Sequence, residues 1–490
     1  MISKGNYFNG SWHISKGVSF DSVSPVDSAM LWSGKIATTD ELHACVNAAC
    51  SVREQWENTP TEVRYEYVRR FAALVKEKID EIAKLISEEV GKPFWEAKTE
   101  ASALAGKIEP TIDAYEYRNK ELLRPMANGA VSRTTFKPLG VIVTISPYNF
   151  PAHMANGHII AALVCGNCVI WKPSEKCPMV AEKVMEIWDE VGLPRGVINM
   201  VQGDGQVGEF FCKDDRINGV FFTGSYQVGD RIRRMCDTTK MCALEMGGDS
   251  PLIVWDVKDI EAAVIGTIQS SYITAGQRCS SARRIIIKND ANGNKYVNRL
   301  IEYVQGIKVG KPFDEQQPYI GPMRDKRLVN AVFEYQNELL ELGAKSLIKC
   351  EHSALGECFV TPGLLDVTPI KGKYKNKEIV GPFIRIYMAD SFDEAIDEAN
   401  NTEYGLAAGI FTDDENLYKE FYKRVKAGLI NWNQQLTGAS GMAPFGGIKN
   451  SGNYRPSGYF AVDYCVYAVA AIENSTLKAP ANLPVGIVLK

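Results

Sequence analysis

From residue 140 the chain alternates short apolar runs with amphipathic stretches. Residues 141–145, 169–171 and 197–201 are continuous apolar runs of strand length, whereas 153–163 and 178–191 carry apolar residues at helical spacing. The order is βαβαβ, which predicts a parallel, doubly wound α/β sheet whose ligands sit at the carboxyl ends of its strands. Upstream, residues 41–118 read as helices, with Phe71, Leu74, Val75, Ile79, Ile82 and Leu85 on one face, and serve as scaffold. Downstream, 219–223 is a further strand that opens a helix through 230–236. Ile260, Val264, Ile268 and Tyr272, four residues apart, predict a helix that leads to a strand at 284–288. Residues 392–401 read as a short amphipathic helix and 404–411 as a strand of small residues. The tail, 459–473, is strand-like and has no partner in its own neighbourhood, so it is expected to pair across a subunit boundary.

The ends of these elements carry the chemistry. The first strand leads to Pro147-Tyr148-Asn149-Phe150-Pro151 and the second to Lys172-Pro173-Ser174-Glu175. The third leads to Gly203-Asp204-Gly205-Gln206-Val207-Gly208, a literal dinucleotide glycine pattern on the wrong strand, which reads equally as a glycine turn. Gly224-Ser225-Tyr226-Gln227-Val228-Gly229 follows a strand and opens a helix, so its backbone amides are placed to accept a pyrophosphate; an ordinary helix cap is the alternative. Glu245 ends an apolar stretch beside Gly247 and Gly248, a setting that raises a carboxyl toward the range of a general base, although an isolated Glu is usually solvated. Cys279 lies in the helix-to-strand connection. Gly276 allows a close turn there, and Arg278, Arg283 and Arg284 are expected to favour thiolate over thiol; the alternative is a small buried apolar side chain.

Composition narrows the partners. A chain of 490 residues with 45% hydrophobic content can bury more than one core. Its 55 Lys+Arg against 59 Asp+Glu, without long runs of one sign, disfavour nucleic acid and acidic membrane as partners. The polar N-terminus and the lack of a long apolar run predict a soluble, cytoplasmic protein. Twelve scattered cysteines fit a reducing compartment. Cys165 and Cys168 have metal-like spacing but no second pair nearby, so no metal site is expected.

Together, residues 147–151, 172–175, 222–229, 244–248, 276–279, 378–382 and 444–452 resemble, in order, the motifs of the NAD(P)-dependent aldehyde dehydrogenase superfamily over essentially the whole chain. The resemblance implies an NAD-binding domain (1–121 and 138–247), an α/β catalytic domain (248–447) and a small β oligomerisation arm (122–137 and 458–490) that builds a homodimer or homotetramer. It implies catalytic roles for Cys279 as nucleophile, Glu245 as base and Asn149 as oxyanion donor, with NAD held by Lys172, Glu175, Gly205, Gly224, Ser225, Gly229 and Glu378. Residues 153–158, 430–433, 436–440, 453–456 and 461–465 further resemble the branch of the family that oxidises succinylglutamate semialdehyde in arginine breakdown; another semialdehyde or an aliphatic aldehyde is the alternative. Arg278, His153, Thr437 and Ser440 are the implied substrate contacts. Two positions depart from the family pattern: Val380 replaces a usual Phe, and Asp249 stands where relatives more often carry Asn or Lys. A cofactor-independent cysteine esterase would leave residues 224–229 and Glu175 without purpose, and no histidine motif flanks Cys279. An inert binding protein would not need Cys279, Glu245 and Asn149 together.

Overall fold

The computed structural model describes residues 1–127, 129–479 and 482–488. The apolar runs form the centre of a seven-stranded sheet. Five of its strands are parallel, in the order Met241–Met246, Gly219–Gly224, Val141–Ile145, Cys168–Lys172 and Ile198–Met200. Val141–Ile145 and Cys168–Lys172 are buried on both faces, which is why they read as unbroken apolar runs and not as alternation. The chain winds outward from Val141–Ile145 in one direction and then returns to place Gly219–Gly224 on its other side. The reversal opens a crevice at the carboxyl ends of these two strands. Two short antiparallel strands, Asn6–Phe8 and Ser11–His13, extend the far edge. At three residues each they are too short for periodicity to reveal them.

A second seven-stranded sheet runs Lys345–Ile348, Gly363–Asp366, Phe383–Ala389, Ala282–Lys288, Ser250–Val254, Ala407–Phe411, Leu429–Trp432, and only its first pair is antiparallel. Each sheet has its own hydrophobic core. One core is drawn from Tyr7 to Met246 and rejoined by Ala461, Val462 and Tyr464; the other runs from Leu252 to Leu436.

The tail has a partner within the chain, on one of its two edges. Val466–Glu473 pairs antiparallel with Val131–Pro138 of the same chain, in register from Val466 opposite Pro138 to Glu473 opposite Val131, and Leu122–Pro125 completes a three-stranded sheet. The partner lies more than three hundred residues away in sequence, so no local signal marks it. Arg133 ties the sheet together through Glu473 (3.0 Å) and Glu121 (2.8 Å). Residues 128, 480, 481, 489 and 490 of the expected arm lie outside the described residues. Among those described, no helix is long and apolar enough to cross a membrane.

Candidate active site

A cavity of about 930 Å³ is lined from both sheets, with the crevice of the first at one end and the 276–280 loop at the other. At the crevice end, Lys172 closes its strand and lies 3.4 Å from the Glu175 carboxylate; burial draws its ammonium below the usual lysine range. Ser225 caps helix Tyr226–Met235 with backbone only, so no side chain satisfies its first-turn amides. The helix of the first glycine run, Gly205–Lys213, is instead capped by Asp204, which accepts from Gln206 N at 2.9 Å. Gly205, Gly224 and Ser225 line the cavity. Gly229 does not: a Cβ there would lie 2.4 Å from Met246 Sδ, so this glycine lets the helix pack onto the sheet. Glu378 accepts from Gly248 N at 3.0 Å, and a Cβ on Gly247 would lie 2.0 Å from its carboxylate. Uncapped amides for a pyrophosphate, carboxylates at Glu175 and Glu378 for ribose hydroxyls, and a cavity joining them fit a nicotinamide dinucleotide.

At the other end the chain makes a left-handed turn before Cys279. Thr274 (φ +59°), Ala275 (φ +50°) and Gly276 (φ +68°) all adopt it, although it is strained for the two residues with a Cβ. A brace holds the turn. Thr274 Oγ1 donates to Glu96 and accepts from Arg278 Nε (2.7 Å), and Arg278 reaches Glu96 Oε1 and the Thr437 carbonyl, each at 2.9 Å. At Gly276 a side chain would strike the Gly381 carbonyl at 2.0 Å. Asn149 Nδ2 donates to the Gln277 carbonyl at 2.8 Å, which places its amide beside the half-buried Cys279.

The arginines do not activate the thiol as expected. Arg283 spends its donors on the carbonyls of Gly248, Gly276, Arg278 and Ile379, and Arg284 on those of Asp249, Glu398 and Ala399, while Arg278 is paired with Glu96. Burial, then the charges of Glu245 and Glu378, push the Cys279 thiol up to about 12, against a small opposing effect of Arg283. The resting group is a thiol, and its chemistry needs a base.

Glu245 ends strand Met241–Met246 and lies behind the cavity wall, fully buried. Its Oε2 accepts from Ser457 Oγ at 2.8 Å, and its Oε1 has no hydrogen-bond partner among the described residues. Burial raises this carboxyl, opposed by Ser457 and by the Lys107 ammonium. His153 lines the cavity as a neutral imidazole, because burial and the charges of Lys107, Lys92 and Arg278 hold it far below its usual range. Thr437 also lines it, but its hydroxyl donates to the Gln269 carbonyl. Ser440 is exposed and off the cavity, accepting from Met442 N within its own turn. Ser457, Lys107, Glu96 and Thr274 carried no motif, and only the fold brings them here.

Asp249 is explained by its surroundings. It is buried between two arginines that are themselves 2% exposed, forming a hydrogen bond with Arg385 Nη2 and placing Oδ2 3.0 Å from Arg284 Nε, whose hydrogen is aimed at the Asp249 carbonyl. A neutral Asn or a Lys would leave this pair without its anion.

Fold and site together define a nicotinamide-dependent enzyme with a cysteine at the meeting of two α/β units. The chain belongs to the aldehyde dehydrogenase family, whose profile matches residues 12–469. Two curated relatives are named N-succinylglutamate 5-semialdehyde dehydrogenase. The protein of Legionella pneumophila (strain Paris) is 42% identical over 100% of this chain and 98% of its own, and that of Paraburkholderia xenovorans (strain LB400) is 42% identical over 98% and 99%. The solved NADP-dependent glyceraldehyde-3-phosphate dehydrogenase from Bacillus halodurans C-125, complexed with NADP, superposes with a TM-score of 0.91 at 26% identity, covering 97% of this chain and 100% of that one.

Proposed function

We propose that this enzyme oxidises N-succinyl-L-glutamate 5-semialdehyde to N-succinyl-L-glutamate in the cytoplasmic breakdown of arginine, with NAD preferred over NADP. The observation that carries the substrate is the full-length 42% identity with relatives of that name. The preference for NAD rests on Glu175, an exposed carboxylate at the ribose end of the cavity that would repel a 2′-phosphate; Lys172 beside it weakens that repulsion without removing it.

Bound dinucleotide supplies the hydride acceptor. Cys279 attacks the aldehyde carbon as its thiolate, the thiol proton passing to a solvent water in the cavity. The oxyanion accepts from the second hydrogen of the Asn149 amide and from the Cys279 backbone N–H. Loss of hydride from the thiohemiacetal leaves a thioester on Sγ. Glu245, still a carboxylate, rotates away from Ser457 to reach the cavity and takes a proton from the water that attacks the thioester carbon; the C–S bond breaks, Sγ leaves as thiolate, and the proton on Glu245 returns to it to restore the thiol. Arg278 braces the loop with three of its five N–H groups and offers the other two to a substrate carboxylate, with His153 and Thr437 as neutral walls. The three-part division of the chain follows, with the open edge of Val466–Glu473, where Tyr467 and Ile472 are exposed, as the contact of a homodimer or homotetramer.

The test is a panel of aldehydes with both cofactors, followed by the absorbance of reduced nicotinamide. The expected result is a kcat/KM for succinylglutamate semialdehyde at least about a hundredfold above that for short neutral aldehydes, and higher with NAD than with NADP. Equal values across the panel would overturn the substrate; equal values for the two cofactors would overturn the preference. Ester turnover without cofactor, in place of reduced nicotinamide, would make the protein a hydrolase.

A further inference from the structure

Lys107 directly precedes helix Ile108–Arg118 and sends its side chain inward, against helix His153–Val164. A Cβ built on Gly157 would lie 2.5 Å from Lys107 Nζ, so the missing side chain at 157 is the space the ammonium fills. The next residue, His158, is hydrogen-bonded through Nε2 to Thr223 Oγ1 (3.2 Å) and through Nδ1 to the Tyr464 hydroxyl (2.8 Å). Thr223 is the register partner of Glu245 across two parallel strands, so their side chains leave the sheet on the same face. Ammonium, imidazole, tyrosine and carboxylate are thus gathered in one place behind the cavity wall. Among the described residues Lys107 Nζ makes no hydrogen bond or ion pair, and Glu245 Oε1 has no partner either. A cation and an anion are held near one another, neither neutralised by a direct contact.

The other groups that face Glu245 carry no positive charge. Cys279 lies on the cavity side as a thiol, and Tyr464 approaches from the turn Ala461–Cys465 with its hydroxyl pushed well above the usual range by burial. His158 is held to about 3 by burial and by Lys107, and His153 is likewise neutral. Ser457 contributes a hydrogen bond and no charge.

We propose that Lys107 is a positioning residue for Glu245: its ammonium, seated in the notch left by Gly157, keeps the carboxylate ionised so that it can take the proton of the hydrolytic water. The directions of titration agree, since burial drives Glu245 toward its protonated form and Lys107 opposes it, while burial also draws Lys107 below the usual lysine range. The inference rests on the reading of Glu245 as the base that releases the thioester.

Two variants test it at different atoms. Lys107→Met removes the charge, and Gly157→Ala keeps the charge but pushes the ammonium out of its notch. In each, the acid limb of the kcat–pH profile should move up by about one pH unit, so that the rate below the limb falls about tenfold and recovers at high pH. KM for aldehyde and dinucleotide, and the burst of reduced nicotinamide that reports thioester formation, should be unchanged. An unmoved limb, or a loss that is the same at every pH, would overturn the proposal and leave Lys107 a structural residue. Glu245→Gln run alongside separates the two readings. If it turns over normally, the base assignment fails and takes the inference with it; if it traps thioester while the limb of Lys107→Met stays put, only the inference fails.

Discussion

Asp249→Asn isolates the buried charge beneath the active-site strands. The wild-type carboxylate sits between Arg284 and Arg385, all three residues no more than 2% exposed. The amide keeps the volume and one acceptor oxygen for Arg385 but removes the only formal negative charge in direct contact with that arginine among the described residues; Arg385 otherwise donates to the Tyr335 hydroxyl and the Asn376 carbonyl oxygen. Arg284 keeps Glu398 at 3.4 Å. Removing one partner from a buried ion pair costs about 3–5 kcal/mol, because the remaining charge stays desolvated. In a cooperative unit of roughly two hundred residues each kcal/mol shifts Tm by about 2–4 °C, so the melting transition of the second core should fall by about 6–20 °C. Asp249 does not line the cavity, so the folded variant should keep its KM for both substrates at 25 °C. Calorimetric melts with parallel kinetics give both numbers. A shift below about 2 °C would refute the reasoning and show that neighbouring acceptors carry the two guanidinium groups unaided.

Three further outcomes are expected. Gly247→Ala places a methyl group on the Glu378 carboxylate, a flexible neighbour that yields at little cost in stability but loses its bond to Gly248 N; Kd for NAD from fluorescence titration should rise about tenfold to a hundredfold, with Tm unchanged. Arg278→Met should lower kcat for every aldehyde, because the Thr274 turn loses its brace, but raise KM about tenfold or more only for the acidic one; equal KM changes would leave Arg278 a brace alone. Alkylation of Cys279 in the resting enzyme, followed by peptide mapping, should climb about tenfold per pH unit from neutrality with no plateau before pH 10, since its thiol is pushed up to about 12; a plateau near neutrality would restore arginine activation.

The architecture was legible where the chain repeats a physical pattern. The buried parallel strands announced themselves as apolar runs, and helices expected at 153–163, 178–191 and 392–401 appear as His153–Val164, Pro178–Val191 and Phe392–Asn400. What could not be read was long-range. The tail strand found its partner at Val131–Pro138, and the arginines around Cys279, read as a positive field, are consumed by backbone carbonyls that no local pattern reveals. Asp249 had no account until the fold set it between Arg284 and Arg385. Glu245 was identifiable as a carboxylate in an apolar setting, but not its position behind the wall, which depends on Ser457, more than two hundred residues away.

The central claim is that Cys279 carries the substrate as a thioester that Glu245 releases. Intact-protein mass spectrometry of Glu245→Gln, mixed with NAD and succinylglutamate semialdehyde, tests it most directly. The account predicts one acyl adduct per chain, mapped to Cys279, formed with a single turnover of reduced nicotinamide and absent when Cys279→Ala is added. An unmodified chain that turns over at the wild-type rate, or an adduct that maps to another residue, would contradict it.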